Sequence, residues 1–275
     1  MMSMKFIGSI GLKGGTGKTL TAVNVALELA KKYKVAILDV DIESSCVPSM
    51  LGLRTEMIMD EQRRFIPVRW QKGGLDIGVV SMGLFGGTEP LSFYKKGEEN
   101  RQIISDFIKY TDWGDTEIVI VDFPAGTDEK TQAALEITKD DLLGLVMVVL
   151  PTTYNACLQV LDLCARMGLH IFGMIENQSG ARSFDGKRVM VEGENREFYP
   201  LGLSDPMVDG DKVMSMKEIA ERSGVGYLGG IPLVEGMFRQ VLRGDPRIPA
   251  HSNEAIKNAA ARISEEYEIS KGGVK

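Results

Sequence analysis

Residues 11–19 have the sequence GLKGGTGKT, which is the strongest indicator of the fold in this chain. It follows a short apolar run at 5–10 that predicts a buried strand. It precedes residues 20–30, whose apolar spacing and strong helix formers predict a helix. A glycine loop between a strand and a helix is the context of a phosphate-binding loop, because the glycines let successive N–H groups point inward and the helix adds its positive dipole end. The stretch therefore predicts a nucleotide site.

The loop departs at one position from the strict pattern G-x-x-x-x-G-K-[ST], since Leu12 stands where that pattern has glycine. The rest fits the variant x-K-G-G-x-G-K-T, whose additional lysine is Lys13. In such a loop Lys18 reaches the β- and γ-phosphates, and the Thr19 hydroxyl contacts Mg²⁺. A glycine-rich turn that merely joins a strand to a helix is the alternative. The flanking elements and the Lys-Thr pair favour the nucleotide site.

Length and composition predict the domain organisation and argue against several other classes of protein. The 275 residues, 44% of them hydrophobic, predict a single P-loop ATPase domain over 1–275, with a polar insertion at about 178–212. The net charge of -6 argues against a generally basic nucleic-acid binder. No apolar run approaches the roughly 20 residues that a membrane span needs. Three cysteines give no disulfide framework and the N-terminus has no signal-peptide pattern, so we expect a cytoplasmic protein.

Strand and helix patterns alternate along the rest of the chain. Strands are predicted at 34–41, 65–70, 75–80, 117–121, 143–150, 169–176 and 227–231, and helices at 100–110, 154–167, 216–223, 234–242 and 253–267. Pro67 predicts that 65–70 is an edge strand. The pattern breaks at 178–212, where 188–191 and 196–199 are candidate hairpin strands. The alternation predicts an α/β fold, a doubly wound and mostly parallel sheet flanked by helices.

Acidic residues end two of the predicted core strands. Asp39 and Asp41 end the strand at 34–41, and Asp122 follows the strand at 117–121. Ligands of open α/β sheets bind beyond the carboxyl ends of the strands, so we expect these carboxylates near the phosphates. An acid in the position of Asp122 can hold the Mg²⁺ shell from the side opposite Thr19. Acids that only cap loops are the alternative.

With these residues, the chain resembles the deviant-Walker P-loop ATPases of the MinD/ParA class, and within that class the Mrp-type ATPases, which act as iron–sulfur carriers or scaffolds. The segments that carry the resemblance occur in the family's order across most of the chain. They are KGGTGKT at 13–19, DVDI at 39–42, VSMG at 80–83, DWG at 112–114, VDFPAGT at 121–127, IENQS at 175–179 and LGGIPL at 228–233.

The resemblance implies a nucleotide and metal site around the glycine loop. ATP or ADP and Mg²⁺ are the implied cofactors, and Asn177 is expected to hydrogen-bond the adenine. The expected nucleotide-binding residues are Gly14, Gly15, Thr16, Gly17, Lys18, Thr19, Leu20, Asn177 and Pro232, and the expected metal ligands are Thr19, Asp39 and Asp122.

The resemblance also implies a homodimer with composite active sites. The signature lysine, Lys13, is expected to reach across the dimer interface to the partner's nucleotide. Asp41, in the switch I region, is expected to position or activate the attacking water, and Asp122 to act through the switch II region. The expected catalytic residues are Lys13, Lys18, Asp41 and Asp122, and the expected reaction is slow, dimer-dependent hydrolysis of ATP.

The chain departs from Mrp-type scaffolds in its cysteines. Those proteins carry a Cys-x-x-Cys pair after the Glu-Asn-x-Ser stretch, whereas the cysteines here are Cys46, Cys157 and Cys164. Bridging a cluster at a dimer seam needs two thiolates per subunit at short spacing, so the sequence leaves open whether an iron–sulfur cluster is carried. Cys157 and Cys164 lie seven residues apart on one predicted helix, where they can also be small core residues. The family often has an acid after Ile-Pro-Leu, where this chain has Val234.

The sequence supports one leading function and leaves two alternatives to compare with it. The leading one is an ATP-binding, Mg²⁺-dependent ATP-hydrolysing dimeric switch, Mrp-like, that serves iron–sulfur cluster or metallocofactor assembly with a cluster acceptor or other client protein as partner. The alternative is a ParA/MinD-type partitioning or positioning ATPase that acts on DNA or membrane. The predicted last helix carries Glu254, Glu265, Glu266 and Glu268, which suits neither anionic lipid nor a phosphate backbone. A small-molecule kinase, the third option, lacks an evident acceptor site.

Overall fold

The computed structural model describes residues 4–42, 44–85, 99–151, 154–183, 185–190, 207–209 and 212–272. The strands in these ranges are β1 (Lys5–Ile10), β2 (Val35–Asp39), β3 (Ile58–Met59), β4 (Phe65–Ile66), β5 (Val68–Lys72), β6 (Leu75–Ser81), β7 (Ile118–Asp122), β8 (Leu142–Val149), β9 (Ile171–Arg182), β10 (Met207–Asp209), β11 (Lys212–Met214) and β12 (Tyr227–Val234). The helices are α1 (Lys18–Leu29), α2 (Val47–Leu51), α3 (Glu99–Tyr110), α4 (Glu129–Thr138), α5 (Tyr154–Met167), α6 (Met216–Arg222), α7 (Met237–Leu242) and α8 (Glu254–Ser270).

One eight-stranded sheet lies at the centre of the molecule, in the order β12-β9-β8-β1-β7-β2-β6-β5. Every neighbouring pair in it is parallel except β5 and β6, which form an antiparallel pair at one edge. The inner strands β2 and β7 are buried along their whole length, as continuous β-branched runs predict. The predicted α/β class and the parallel sheet are confirmed. The single edge strand predicted at 65–70 is divided at Pro67: β5 lies at the sheet edge as predicted, whereas β4 pairs with β3 in a separate two-stranded sheet.

Helices cover the sheet and close the hydrophobic core. Helix α1 packs against α8, and α3 packs against α4. The inward face predicted for the last helix is confirmed, because Ile256, Ala260 and Ile263 are buried. In the same helix the buried Tyr267 ring meets Tyr33 edge to face at a centroid distance of 5.3 Å. In the described ranges, no helix combines the length and the apolarity that crossing a bilayer requires.

Strand β9 is longer than its sequence pattern predicts. The predicted strand ends at 176, but β9 continues through Asn177 to Arg182 and pairs with β12, which itself runs on to Val234. The predicted helix start at 234 is therefore wrong, and α7 begins at Met237. Pairing with β12 extends β9 into residues whose own sequence is mostly polar, and pairing with β9 extends β12 through Pro232 to Val234.

Two further elements differ from the sequence-based prediction. Helix α4 was not predicted, although Asp128 is a normal N-cap whose carboxylate accepts a hydrogen bond from the Thr131 N–H at 3.2 Å. In the predicted insertion, β10 and β11 form an antiparallel hairpin that was not predicted. In the candidate strand at 188–191, Arg188 forms an isolated bridge with Arg182 and Met190 also lies in a bridge, whereas 191 and 196–199 lie outside the described residues. The single domain over 1–275 stays a prediction.

Candidate functional site

The glycine loop occupies residues 11–17, between the end of β1 and the start of α1. Gly15 and Gly17 have φ angles of 78° and 92°, in the left-handed region that glycine adopts without strain. The Thr16 hydroxyl donates to the Lys13 carbonyl at 3.1 Å and closes the loop on itself. At the back of the loop, the Ser9 hydroxyl donates to the Lys18 carbonyl at 3.0 Å. The predicted strand–loop–helix arrangement is therefore present.

Lys18 lies inside this loop rather than on the surface. Its residue is only 7% exposed, and its ammonium donates to the Lys13 carbonyl at 3.4 Å. Burial lowers the pKa of Lys18, while the carboxylates of Asp122 and Asp41 act to raise it. An ammonium has three donors, so Lys18 is a largely desolvated cation with capacity to bind anionic oxygens. Lys13, by contrast, is exposed at the rim of the loop.

The two predicted strand-end acids lie side by side beneath the loop. Asp39 of β2 and Asp122 of β7 are register partners, and Ser9 of β1 is the register partner of Asp122 on the other side. Asp39 is fully buried and accepts hydrogen bonds from the Ser81 hydroxyl at 3.0 Å and the Asp41 N–H at 3.2 Å. Asp122 is 1% exposed and accepts a hydrogen bond from the Thr19 hydroxyl. Its Oδ1 atom is buried with no hydrogen-bond partner.

Burial dominates the electrostatics of this acid pair. It raises the pKa of Asp39 well above its ordinary value, and the neighbouring Asp122 carboxylate raises it further. Burial also raises the pKa of Asp122, from 3.8 to about 7, against the lowering effects of the Thr19 hydrogen bond and of Lys18. Two desolvated carboxyl groups, one with an unsatisfied oxygen, create a strong preference for a cation at this position.

The residues present fit Mg²⁺. Carboxylate and hydroxyl oxygens are the hard ligands that Mg²⁺ prefers, and the orphaned Oδ1 of Asp122 offers one next to the Thr19 hydroxyl. Across the part of the chain that the structure describes, no group of three or more His, Cys, Asp or Glu side chains is arranged to hold a metal ion. Mg²⁺ sites in nucleotide enzymes use one or two carboxylates together with substrate phosphates and water.

Asp41 lies outside the buried pair, at a cavity of about 200 Å³. The cavity is lined by residues 40–42 and 44, which follow β2, by Ile104 of α3, and by residues 124, 125, 128 and 130, which follow β7. The Ser45 hydroxyl donates to the Asp41 carbonyl at 3.0 Å, and the Ser44 N–H donates to the Asp41 carboxylate at 3.3 Å. These contacts hold the Asp41 carboxylate at the cavity that the predicted switch I and switch II regions share.

Asn177, predicted to contact adenine, reaches the glycine loop from a distant part of the chain. Its Nδ2 atom donates to the Thr16 carbonyl at 2.8 Å, and the residue is 7% exposed. Pro232 is buried in β12, next to Ile231, the register partner of Asn177. Leu20 is half-buried in the first turn of α1. The predicted base-site residues Asn177 and Pro232 thus lie on neighbouring strands, with Asn177 in contact with the loop.

The cysteines occupy two different environments. Cys157 and Cys164 are each 1% exposed, which confirms their interpretation as core residues and excludes both as surface ligands in this conformation. Cys46 is exposed at the start of α2. Partial burial of its thiol and the nearby carboxylates of Asp39 and Asp122 raise the pKa of Cys46. Cys46 is therefore the accessible thiol, and it lies close enough to the acid pair for those carboxylates to influence its pKa.

Sequence reasoning missed two features of the site. Ser81 donates to the buried Asp39, and its position at the end of β6 was a signal that could have found it, since β6 pairs with β2. The contact between Asn177 and Thr16 joins residues 161 positions apart, and nothing in the local sequence marks it.

Comparison with known protein families assigns the chain to one of them. Residues 4–197 match the family model described as ParA, NUBPL iron-transfer P-loop NTPase. The chain belongs to this family. It is a P-loop NTPase, in agreement with the loop and acid geometry above.

Named relatives and solved structures agree with this assignment. An iron–sulfur cluster carrier protein of Saccharolobus solfataricus is 26% identical over 270 residues, covering 96% of this chain and 83% of the relative. The cytosolic Fe–S cluster assembly factor CFD1 of Kluyveromyces lactis is 32% identical over 173 residues, covering 61% of each chain. In fold, the chain is similar to a nucleotide-binding protein of Archaeoglobus fulgidus in complex with ADP, with a TM-score of 0.66, 20% identity and coverage of 87% and 86%. MinD of Pyrococcus horikoshii complexed with Mg-ADP has a TM-score of 0.66, 16% identity and coverage of 99% and 100%.

Proposed function

We propose that this protein is a Mg²⁺-dependent ATPase that works as a homodimeric switch in iron–sulfur cluster assembly in the cytoplasm. The observation that carries the ATPase is the buried Asp122 carboxyl with its orphaned oxygen, next to Thr19 and the buried Lys18. The cluster role is supported by the names of the relatives, which include iron–sulfur carriers and cytosolic assembly factors.

In this proposal the loop and Lys18 bind the triphosphate. The backbone N–H groups of the glycine loop donate to phosphate oxygens, and the Lys18 ammonium contacts the β- and γ-phosphates. When Mg²⁺ is bound, Thr19 and Asp122 hold it with Asp39 behind them, and it neutralises charge on the phosphate oxygens. Asn177 keeps one amide N–H and its carbonyl oxygen for the adenine, because only one N–H is used by Thr16.

The proposed reaction is in-line attack of water on the γ-phosphorus. The new bond forms to the water oxygen, the bond to the β–γ bridging oxygen breaks, and the products are ADP, phosphate and a proton. Asp41, held at the shared cavity, orients the water and accepts its proton. Lys13 of a second copy stabilises the charge that develops on the phosphates, since it is exposed at the rim and catalysis of this kind rests on positioning and charge stabilisation.

The cluster role must work without a cysteine pair in one chain. Cys46 is exposed, whereas Cys157 and Cys164 are in the core. A cluster usually takes four thiolates, so in this proposal Cys46 of two copies and thiolates of a client protein share it. ATP binding closes the dimer and brings the two Cys46 residues into a common interface, which couples nucleotide state to cluster transfer.

The ATPase is tested by comparing Lys13→Ala with the wild type. We expect Lys13→Ala to bind Mg·ATP normally, measured by calorimetry, but to release phosphate slower by orders of magnitude, about the 10³- to 10⁵-fold attributed to a transition-state cation supplied in trans. Lys31→Ala, which removes an exposed lysine near the far end of α1, is the matched control and should leave turnover unchanged. Full turnover in Lys13→Ala would contradict the composite site.

The cluster role needs a separate measurement. Anaerobic incubation with iron and sulfide, read by visible absorption, should load the ATP-bound wild-type dimer in the presence of a thiol donor. Cys46→Ser should lose this absorption while its ATP turnover stays intact. A wild-type protein that never acquires the absorption would remove the cluster from the proposal and leave the ATPase in place.

A further inference from the structure

The Asn177 side chain makes a direct contact with the backbone of the phosphate loop. Its Nδ2 atom lies 2.8 Å from the Thr16 carbonyl oxygen, and this hydrogen bond is buried. Gly17 is part of the same contact, because a Cβ at that position would collide with the Asn177 amide. The amide therefore packs closely against the Thr16–Gly17 segment, and a larger residue at 17 would displace it.

The backbone of β9 is shaped to bring Asn177 to this place. Gln178, the next residue, has a φ angle of 57°, a left-handed conformation that non-glycine residues rarely adopt. The register between β9 and β12 shifts at the same point, between Ile231 and Leu233. A strained residue beside a bulge redirects neighbouring side chains, and such features concentrate at functional sites.

We propose that Asn177 is a positioning residue for the phosphate cradle, in addition to any contact that it makes with the base. In a trans peptide the carbonyl and the N–H point in opposite directions. With the Thr16 carbonyl bonded to Asn177, the Gly17 N–H of the same peptide is turned away from Asn177 and is free to donate to phosphate. The inference rests on the proposed nucleotide site. It assigns to Asn177 an effect on phosphate binding that is exerted through the loop backbone.

The loop needs such a restraint because its glycines can adopt several backbone conformations. Gly15 and Gly17 flank the Thr16 segment, both at positive φ, and glycine can take either sign of φ at little cost. A flipped Thr16–Gly17 peptide would point a carbonyl oxygen at the phosphates instead of an N–H donor. The Asn177 hydrogen bond holds one of these two orientations before the ligand arrives, so it lowers the cost of ordering the loop on binding.

The test uses magnesium tripolyphosphate, which has the phosphates of ATP but no base. Its dissociation constant is measured by calorimetry for the wild type, Asn177→Ala and Asn177→Leu, which is neutral and similar in size to Asn but has no donor, with ATP measured in parallel. We expect tripolyphosphate to bind about three- to tenfold more weakly to both variants, the effect of losing one buried hydrogen bond. A residue that contacts only the base would weaken ATP binding and leave tripolyphosphate binding unchanged, and that result would overturn the inference.

Asn24→Ala is the matched control for general damage from removing a buried amide. Asn24 is also buried, and its amide bonds to the Pro246 carbonyl at 3.0 Å, to the Ile248 N–H at 2.9 Å and, within α1, to the Leu20 carbonyl at 2.9 Å, so none of its partners belongs to the glycine loop at 11–17. This variant should lower the thermal midpoint yet keep the wild-type tripolyphosphate affinity. Equal loss of tripolyphosphate affinity in Asn24→Ala would assign the effect to stability and overturn the inference. A wild-type protein that binds no tripolyphosphate would reject the proposed nucleotide site itself.

Discussion

Replacing Asp122 by Asn should stabilise the nucleotide-free protein at neutral and alkaline pH. The carboxyl of Asp122 is buried, and burial raises its pKa from 3.8 to about 7. At a pH between these two pKa values, the Asp122 carboxyl of the folded protein holds a proton that the unfolded chain has released. The stability that this proton contributes is full below about pH 4 and is lost as the pH rises to about 7.

The size of the effect follows from the shift in pKa. A shift from 3.8 to about 7 corresponds to about 4 kcal/mol of unfolding free energy at 1.36 kcal/mol per pH unit. Because Asn cannot ionise, the unfolding free energy of the variant does not fall with pH at this position. Its side-chain oxygen can still accept the Thr19 hydrogen bond. The stability of Asp122→Asn relative to the wild type should therefore rise by up to about 4 kcal/mol between about pH 4 and pH 7 and then level off.

Urea unfolding followed by circular dichroism, with a chelator present, measures this difference between about pH 5 and pH 8. Asp76→Asn is the control, because that carboxylate is exposed on the β5–β6 hairpin and pairs with Arg69 at 2.7 Å. Its stability difference from the wild type should stay small over the same range. A stability difference for Asp122→Asn that is constant or falls with pH would refute the reasoning. Added Mg·ATP should make the wild type more stable than Asp122→Asn, because the ligand stabilises the wild type by binding and stabilises the variant far less.

Two further predictions test the site and the core. Lys18→Ala should abolish detectable ATP binding in calorimetry, because it removes the buried cation from the loop, and retention of affinity within about tenfold of the wild type would place the triphosphate elsewhere. Iodoacetamide should modify only Cys46 in the native protein and all three cysteines after unfolding, counted by intact mass, since Cys157 and Cys164 are in the core. Rapid native modification of either core cysteine would contradict that packing.

The central part of the fold could be predicted from the sequence because it is locally encoded. The glycine loop lies between a strand and a helix that are its immediate neighbours, and hydrophobic runs such as β7 identify buried strands by composition alone. Helix α4 was missed because its helical periodicity is weak and only its Asp128 cap marks its start. The extension of β9 to Arg182 was missed because it depends on pairing with β12, about 50 residues further along the chain.

Local sequence is enough to predict the phosphate loop with Lys13, Lys18 and Thr19, and the acids that follow two core strands. The burial of Asp39 and Asp122 as register partners, and the hydrogen bond from Asn177 to the loop backbone, are visible only in the folded protein. The two kinds of feature depend on interactions of different range along the chain. Backbone conformation and hydrophobic periodicity act between near neighbours in sequence, whereas desolvation and hydrogen bonding across the sheet exist only after distant strands have packed together.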